Sequence, residues 1–223
     1  MSLVAAAVCP HPPLLVPEVA AGAADELDDL RAACRAAVAH LANASVDSLI
    51  VLGSDTTTLR RDPPFGGTLS PWGVDLAVGD PSGAQLPLSL LIGAWLLPAA
   101  GNFQSVAADA APQECARLGR GLAGEADRVG LLVLGDGTAC RTEKAPGYFD
   151  PRAEAFDAAV VAALADADAA ALAALDPGLA AELLVAGRAP WQVLAGAKDH
   201  AMRGAVLYDS APYGVNYVVA TWA

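Results

Sequence analysis

Five polar side chains stand at the ends of apolar runs. They are His11 in VCPHPPLLVP, Ser54 and Asp55 closing LIVLGSD, Asp136 in LLVLGDG and Asp209 in VLYDS. One imidazole and several carboxylates meeting at a sheet edge make a nitrogen- and oxygen-rich site, suited to a divalent metal such as iron(II), manganese or zinc. Cys140, four residues past Asp136 in GDGTAC, adds a thiol. It is a nucleophile if a histidine or a helix N-terminus lowers its pKa, and otherwise a buried, inert group. Each aspartate taken alone reads equally as an N-cap or turn former, because its carboxylate accepts backbone N–H bonds. His11 alone reads equally as a structural histidine. His40, at a helix end, and His200, in KDHAMR, are not candidate ligands.

What must position these groups is a set of strands whose ends share one edge. SLVAAAV and DSLIVLG are short apolar runs, and between them AADELDDLRAACRAAVAHLAN repeats Leu27, Leu30, Cys34, Val38 and Leu41 at helical steps. Strand, helix, strand with a crossover of that length predicts parallel strands covered on both faces. VGLLVLGDG is a further apolar strand ending in glycine, and NFQSVAA and GVDLAVG are shorter ones. LPLSLLIGAWLL, PQECARLGRGLAG and APWQVLAGAKD read as helices. LDPGLAAELL reads as another, with Asp176 as N-cap and Pro177 at its first position. Residues 54–72, with Pro-Pro and Gly-Gly, read as a long loop. The chain ends in two strand-like runs around DSAPYG. No repeat or low-complexity linker divides the 223 residues, so the expectation is a single α/β domain over 1–223 with a mostly parallel or mixed central sheet flanked by helices. Ligands in such sheets collect at the carboxyl ends of the strands.

Composition removes several function classes. Thirteen basic residues against twenty-five acidic ones give a net charge of −12, which repels polyphosphate backbones and anionic bilayers. Nucleic acid and membrane are therefore not expected partners. The mean hydropathy of +0.41 comes from alanine, and no run reaches the ~18 apolar residues of a spanning helix. The first twenty residues lack a basic stretch and a long apolar core, so a cytoplasmic location is expected. The four cysteines are far apart with no CxxC pair, which argues against a zinc knuckle or thioredoxin motif. GxxxxGK[ST] and GxSxG do not occur, and the GxGxxG match GRGLAG lies inside the helical run PQECARLGRGLAG and not directly after an apolar strand, so a nucleotide-binding or serine-hydrolase reading has no motif to rest on.

CPHPPLLVPEV, LIVLGSD, LLVLGDGTACRTEKAPGYFDPRAEAFD and VLYDSAPYGVNYVVATW together resemble, in order and over nearly the whole chain, the class III extradiol ring-cleavage dioxygenases. The likeness is closest to their LigB-like branch, which includes the Memo proteins. It implies a non-haem iron(II) centre of two histidines and a glutamate, with a further histidine as acid/base. On these positions His11 matches the first iron histidine, Asp55 stands where the second histidine is expected, and Asp209 stands for the glutamate. Ala139 or Cys140 occupies the acid/base position, beside Asp136. A His-Asp-Asp set is harder and more anionic than the iron set, favouring manganese, magnesium or calcium, with zinc or no metal as further alternatives. Loss of the acid/base typically costs ~10²–10⁴-fold in rate. Two functions follow as expectations. One is a divergent metal-dependent oxidoreductase on a small substrate, aromatic ones included, with His11, Asp55 and Asp209 on the metal and Asp136 or Cys140 nearby. The other is a catalytically inactive module, binding a small molecule or a protein on the same scaffold. A homo-oligomer is compatible with either.

Overall fold

The computed structural model describes residues 2–80, 82–97 and 102–223. In chain order the elements are β1 (Ser2–Cys9), α1 (Pro17–Ala20), α2 (Asp28–Asn43), β2 (Ser48–Asp55), β3 (Leu59–Arg61), β4 (Phe65–Thr68), β5 (Ala77–Gly79), β6 (Ala84–Gln85) and α3 (Leu88–Leu96). They continue as β7 (Asn102–Ala107), α4 (Pro112–Ala123), β8 (Arg128–Leu134), α5 (Ala153–Ala165), α6 (Ala169–Ala173), α7 (Pro177–Glu182), α8 (Arg188–Ala197), β9 (Gly204–Ser210) and β10 (Tyr217–Trp222).

Seven strands form one mixed sheet in the order β3-β7-β2-β8-β1-β10-β9. The four inner strands β7, β2, β8 and β1 run parallel. They are apolar almost without break because both faces are covered. Alternation along them divides the core in two. Ile50, Leu52, Leu131 and Val133 face the layer that holds Phe156, Trp191 and Val193, while Val51, Leu132 and Leu134 face Leu30, Leu41 and Leu90 on the other side. In β1 the register shifts between Leu3 and Ala5, so Leu3 and Ala6 share a face although they lie three positions apart.

The β1 and β2 strands run in the same direction as expected, but β8 is inserted between them. The 54–72 stretch is not a plain loop. It carries β3, which adds an antiparallel edge to β7, and β4, the centre of a small β5-β4-β6 sheet. Gly66 and Gly67 in β4 let these strands approach, since a Cβ on Gly66 would lie 2.4 Å from the Asp80 carbonyl. The predicted caps of α7 hold: Asp176 accepts from the Leu179 N–H at 2.6 Å, with Pro177 following it. No helix of the described residues is long and apolar enough to cross a membrane.

The topology brings the carboxyl ends of β1, β2, β7 and β8 to one edge of the sheet. The β10 strand is antiparallel to β1 and begins there, and β9, antiparallel to β10, ends there. Every candidate residue of the sequence reading lies along that edge, though on different strands.

Candidate functional site

His11 follows β1 and is 7% exposed. Pro12, at φ −65° and ψ 143°, carries the chain away extended, and Pro13 opens a 3-10 turn closed by Leu15 N–H donating to the Pro12 carbonyl at 3.0 Å. The prolines on either side stiffen the chain at His11, and a hydrogen bond fixes its backbone: His11 N–H donates to Asp136 Oδ1 at 2.8 Å. The imidazole Nδ1 lies 3.6 Å from the same oxygen, beyond hydrogen-bond reach, and is buried without a partner. An unpaired buried ring nitrogen costs free energy unless something outside the protein completes it.

Asp136 is held at the centre of several chain segments. Gly135 N–H donates to the Cys9 carbonyl at 3.0 Å, Gly187 N–H donates to the Asp136 carbonyl at 2.8 Å, and Gly137 N–H donates to the Asn216 carbonyl at 2.8 Å. Asn216 N–H in turn donates to the Thr138 carbonyl at 2.9 Å. The loop after β8 is thereby zipped to the β9–β10 connection. Gly137 is required by close approach, because a Cβ there would sit 2.6 Å from Asn216 Oδ1 and 2.8 Å from Asp157 Oδ1. Asp157, 2% exposed on α5, accepts from Thr138 N–H at 2.9 Å, from Thr138 Oγ1 at 2.7 Å and from Arg141 at 3.1 Å. Tyr217, buried at the start of β10, completes the neighbourhood. Burial first, then the charge of Asp136, pushes its hydroxyl pKa well above the usual range, so it stays protonated and able to donate.

The other predicted ligands are not gathered around His11. Asp55 ends β2 with both oxygens engaged: Oδ2 accepts from Arg61 at 2.6 Å and Oδ1 from Thr56 N–H at 2.7 Å. The Arg61 guanidinium places a positive charge where a metal would need a free carboxylate. Asp209 is exposed on β9 and accepts from Asn216 Nδ2 at 2.8 Å. The β2 and β9 strands are four positions apart in the sheet, roughly 19 Å at the usual spacing. Among the described residues no three His, Cys, Asp or Glu side chains form a group able to hold a metal ion. The physical reason is the sheet order: β8 and β10 flank β1 and keep the two carboxylates at a distance from His11. These residues do not fit the iron centre implied by the resemblance, nor a manganese, magnesium, calcium or zinc site built on His11, Asp55 and Asp209.

Cys140 also departs from the expected nucleophile. It is 2% exposed, and its thiol donates to the carbonyls of Leu183 at 3.5 Å and Gly147 at 3.6 Å. Burial, with Asp150 and Asp157 adding to it, pushes the thiol pKa up, the opposite of activation. Cys9 is raised by its hydrogen bond with Cys34 and by burial, and Cys115 by burial. A raised folded-state pKa contributes stability that is intact below the ordinary value of 9.0 and is lost as the pH rises through the folded value, because the unfolded thiols ionise first. The urea midpoint is therefore expected to be flat on this account below about pH 9 and to fall above it. At about pH 8 a disulfide reagent should label the native thiols at least roughly tenfold more slowly than in urea.

Asn216, Tyr217, Asp157 and Arg61 join the candidate residues only in the folded structure. Asp157 had a readable signal: it shares the buried face of α5 with Ala153, Phe156, Val160 and Leu164, where an unpaired carboxylate would not be tolerated. Arg61 had none, since its pairing with Asp55 depends on β3 returning along β7.

No family model matches the chain, and no curated protein matches it. Among solved structures the chain is similar to uncharacterized protein JW3007 from Escherichia coli K12, with a TM-score of 0.58 and 15% identity over 98% of this chain and 99% of that one. At that identity the likeness shows a shared α/β fold.

Proposed function

We propose that this protein is a small-molecule-binding module on a dioxygenase-like scaffold, recognising its ligand around His11 and Asp136 without metal-dependent ring cleavage. The observation that supports this most is the buried His11 Nδ1, which lacks a partner while its backbone is fixed by Asp136. Fixing the backbone that carries the ring in advance lowers the ordering cost of binding. Asp136 sits against the same histidine and adds a carboxylate beside the ring. The ring presents Nδ1 as donor or acceptor according to tautomer, which suits a hydroxyl-bearing ligand. The engagement of Asp55 by Arg61 counts against the oxidoreductase reading.

Catechol is the discriminating probe, because both readings accommodate it and only one consumes oxygen. With the full chain, saturable shifts of the His11 ring resonances on adding catechol are expected, and His11→Ala should weaken binding about tenfold, or ~1.4 kcal/mol. Anaerobic titration of metal-stripped protein with iron(II), manganese or zinc should show no tight equimolar binding. Oxygen uptake with catechol and iron(II) should stay at the protein-free level. Tight equimolar iron(II) together with oxygen uptake would overturn the proposal, as would His11 resonances indifferent to catechol.

A further inference from the structure

A second cleft on the same edge carries a charge that the fold leaves without a counterion. It has a volume of about 590 Å3, within the ~300–1,000 Å3 of typical small-molecule sites. It lies between the turn after β7, at Ala108 and Asp109, and the segment running from α7 into α8. Its walls are small and apolar, with Ala180, Ala181, Leu184 and Val185 among them, and Arg188 lines it at 3% exposure. None of these residues belongs to the His11 site.

The Arg188 guanidinium donates to the carbonyls of Ala108 and Ala110 and, at 3.1 Å, to Gln192 Oε1. Among the described residues no carboxylate forms an ion pair with it, although Asp109 lines the same cleft. Arginine does not shed its proton on burial, so a full positive charge stands there against carbonyl dipoles alone. Stapling loops does not require that charge. One turn later Gln192 does the same work with a neutral amide, donating to the carbonyls of Ala173 and Leu175 at 3.1 and 3.0 Å. Three donor contacts leave part of the five-donor guanidinium uncommitted. Arg188 is also the first residue of the ten-residue α8, whose N-terminal dipole adds positive potential at the same place.

The apolar lining, and the exposed apolar surface that continues from Leu184, point to an apolar ligand body. Leu184 is 50% exposed and held at φ 55°, and Tyr148 is 61% exposed at φ 63°. At Leu184 the left-handed backbone is the C-terminal cap of α7, closed by Val185 N–H donating to the Ala180 carbonyl at 2.8 Å, and it turns the leucine outward. The two segments touch, since a Cβ on Gly147 would lie 2.9 Å from Leu184 Cδ1, and Phe149 next in sequence is 53% exposed. Large apolar residues exposed together beside a cleft are a pattern of binding surfaces.

We propose that this cleft binds a small monocarboxylate with an apolar body, its carboxylate meeting Arg188 and its body lying along Ala180, Ala181 and Leu184. Hexanoate is the probe, with hexanol and hexylammonium as isosteric controls of charge, titrated into the full chain by calorimetry at low salt. Saturable hexanoate binding is expected, with both controls weaker by at least roughly tenfold. Arg188→Gln should reduce hexanoate affinity by about the same factor and leave hexanol unchanged. Ala181→Trp, at an exposed position of α7, should block all three by filling the cleft while keeping Arg188. If Arg188→Gln does not fold, Ala181→Trp decides: undiminished hexanoate binding overturns the proposal. Equal binding of hexanol and hexanoate also overturns it, as does no saturable hexanoate binding. The outcome is independent of the catechol experiment, which reads His11.

Discussion

Replacing Asp157 with alanine is expected to lower the unfolding free energy by about 3 kcal/mol. The change strips partners from the Thr138 N–H, the Thr138 hydroxyl and one arm of Arg141. The first two are buried against α5, where water cannot replace the lost acceptor. Asp157→Asn should cost less. Burial outweighs the bonds from Thr138 and Arg141, so the carboxyl pKa lies above its ordinary 3.8. A raised folded value means the contribution is complete below the ordinary value and declines as the pH rises through the folded one. The folded protein thus gains nothing from ionising this group, and a neutral amide keeps one acceptor oxygen for Thr138. Urea unfolding followed by far-ultraviolet dichroism measures both changes. An alanine variant within about 0.5 kcal/mol of the parent, the range of ordinary surface substitutions, would refute this account. The effect reaches the site, because the same loop carries Asp136. Amide exchange at residues 137–139 should accelerate more than exchange in α2, on the opposite face of the sheet.

Why the fold was more legible than the site follows from the kind of signal each leaves. The strands β1, β2 and β8 are runs of residues buried on both faces, and such runs announce themselves without knowledge of neighbours. Asp176 and Pro177 are a local pair with a local job, and they do it where expected. The metal set was a long-range inference. It required Asp55 and Asp209 to converge on His11, and convergence depends on sheet order, which periodicity does not encode. With β8 inserted on one side of β1 and β10 on the other, His11 instead meets Asp136 from the adjacent strand. Asp136 therefore stands at the strand end that its sequence indicates, while the three-residue ligand set is not assembled. The Arg61 partner of Asp55 lies in a segment read as a loop, because three residues of β3 are too few to show alternation. Asn216 was hidden for a different reason: its role is carried mostly by backbone groups, to which sequence type is nearly blind.

The placement of Arg188 and Trp191 on the carboxyl edge depends on how closely α8 crosses α4, and that crossing supplies the other large expected effect. A Cβ on Gly119 of α4 would lie 2.1 Å from the Val193 carbonyl and 2.7 Å from Ala197 N. Reciprocally, a Cβ on Gly196 would lie 2.6 Å from Ala116 Cα. The obstacles are backbone atoms on both sides, so no rotamer change relieves them and the helices must separate. Gly119→Ala, normally favourable in a helix by up to ~1 kcal/mol, should therefore destabilise by about 3 kcal/mol. Gly121→Ala on the same helix is the internal control. A Cβ there meets nothing within 4 Å, so the propensity gain survives and the protein should become more stable by roughly 0.5–1 kcal/mol. Opposite signs for one chemical change two residues apart isolate the crossing as the cause. Moving α8 also moves the guanidinium it carries, so any Gly119→Ala protein that folds should lose hexanoate affinity while Gly121→Ala retains it. Equal shifts in urea midpoint for the two variants would mean that the close approach of α4 and α8 does not set the position of the cleft.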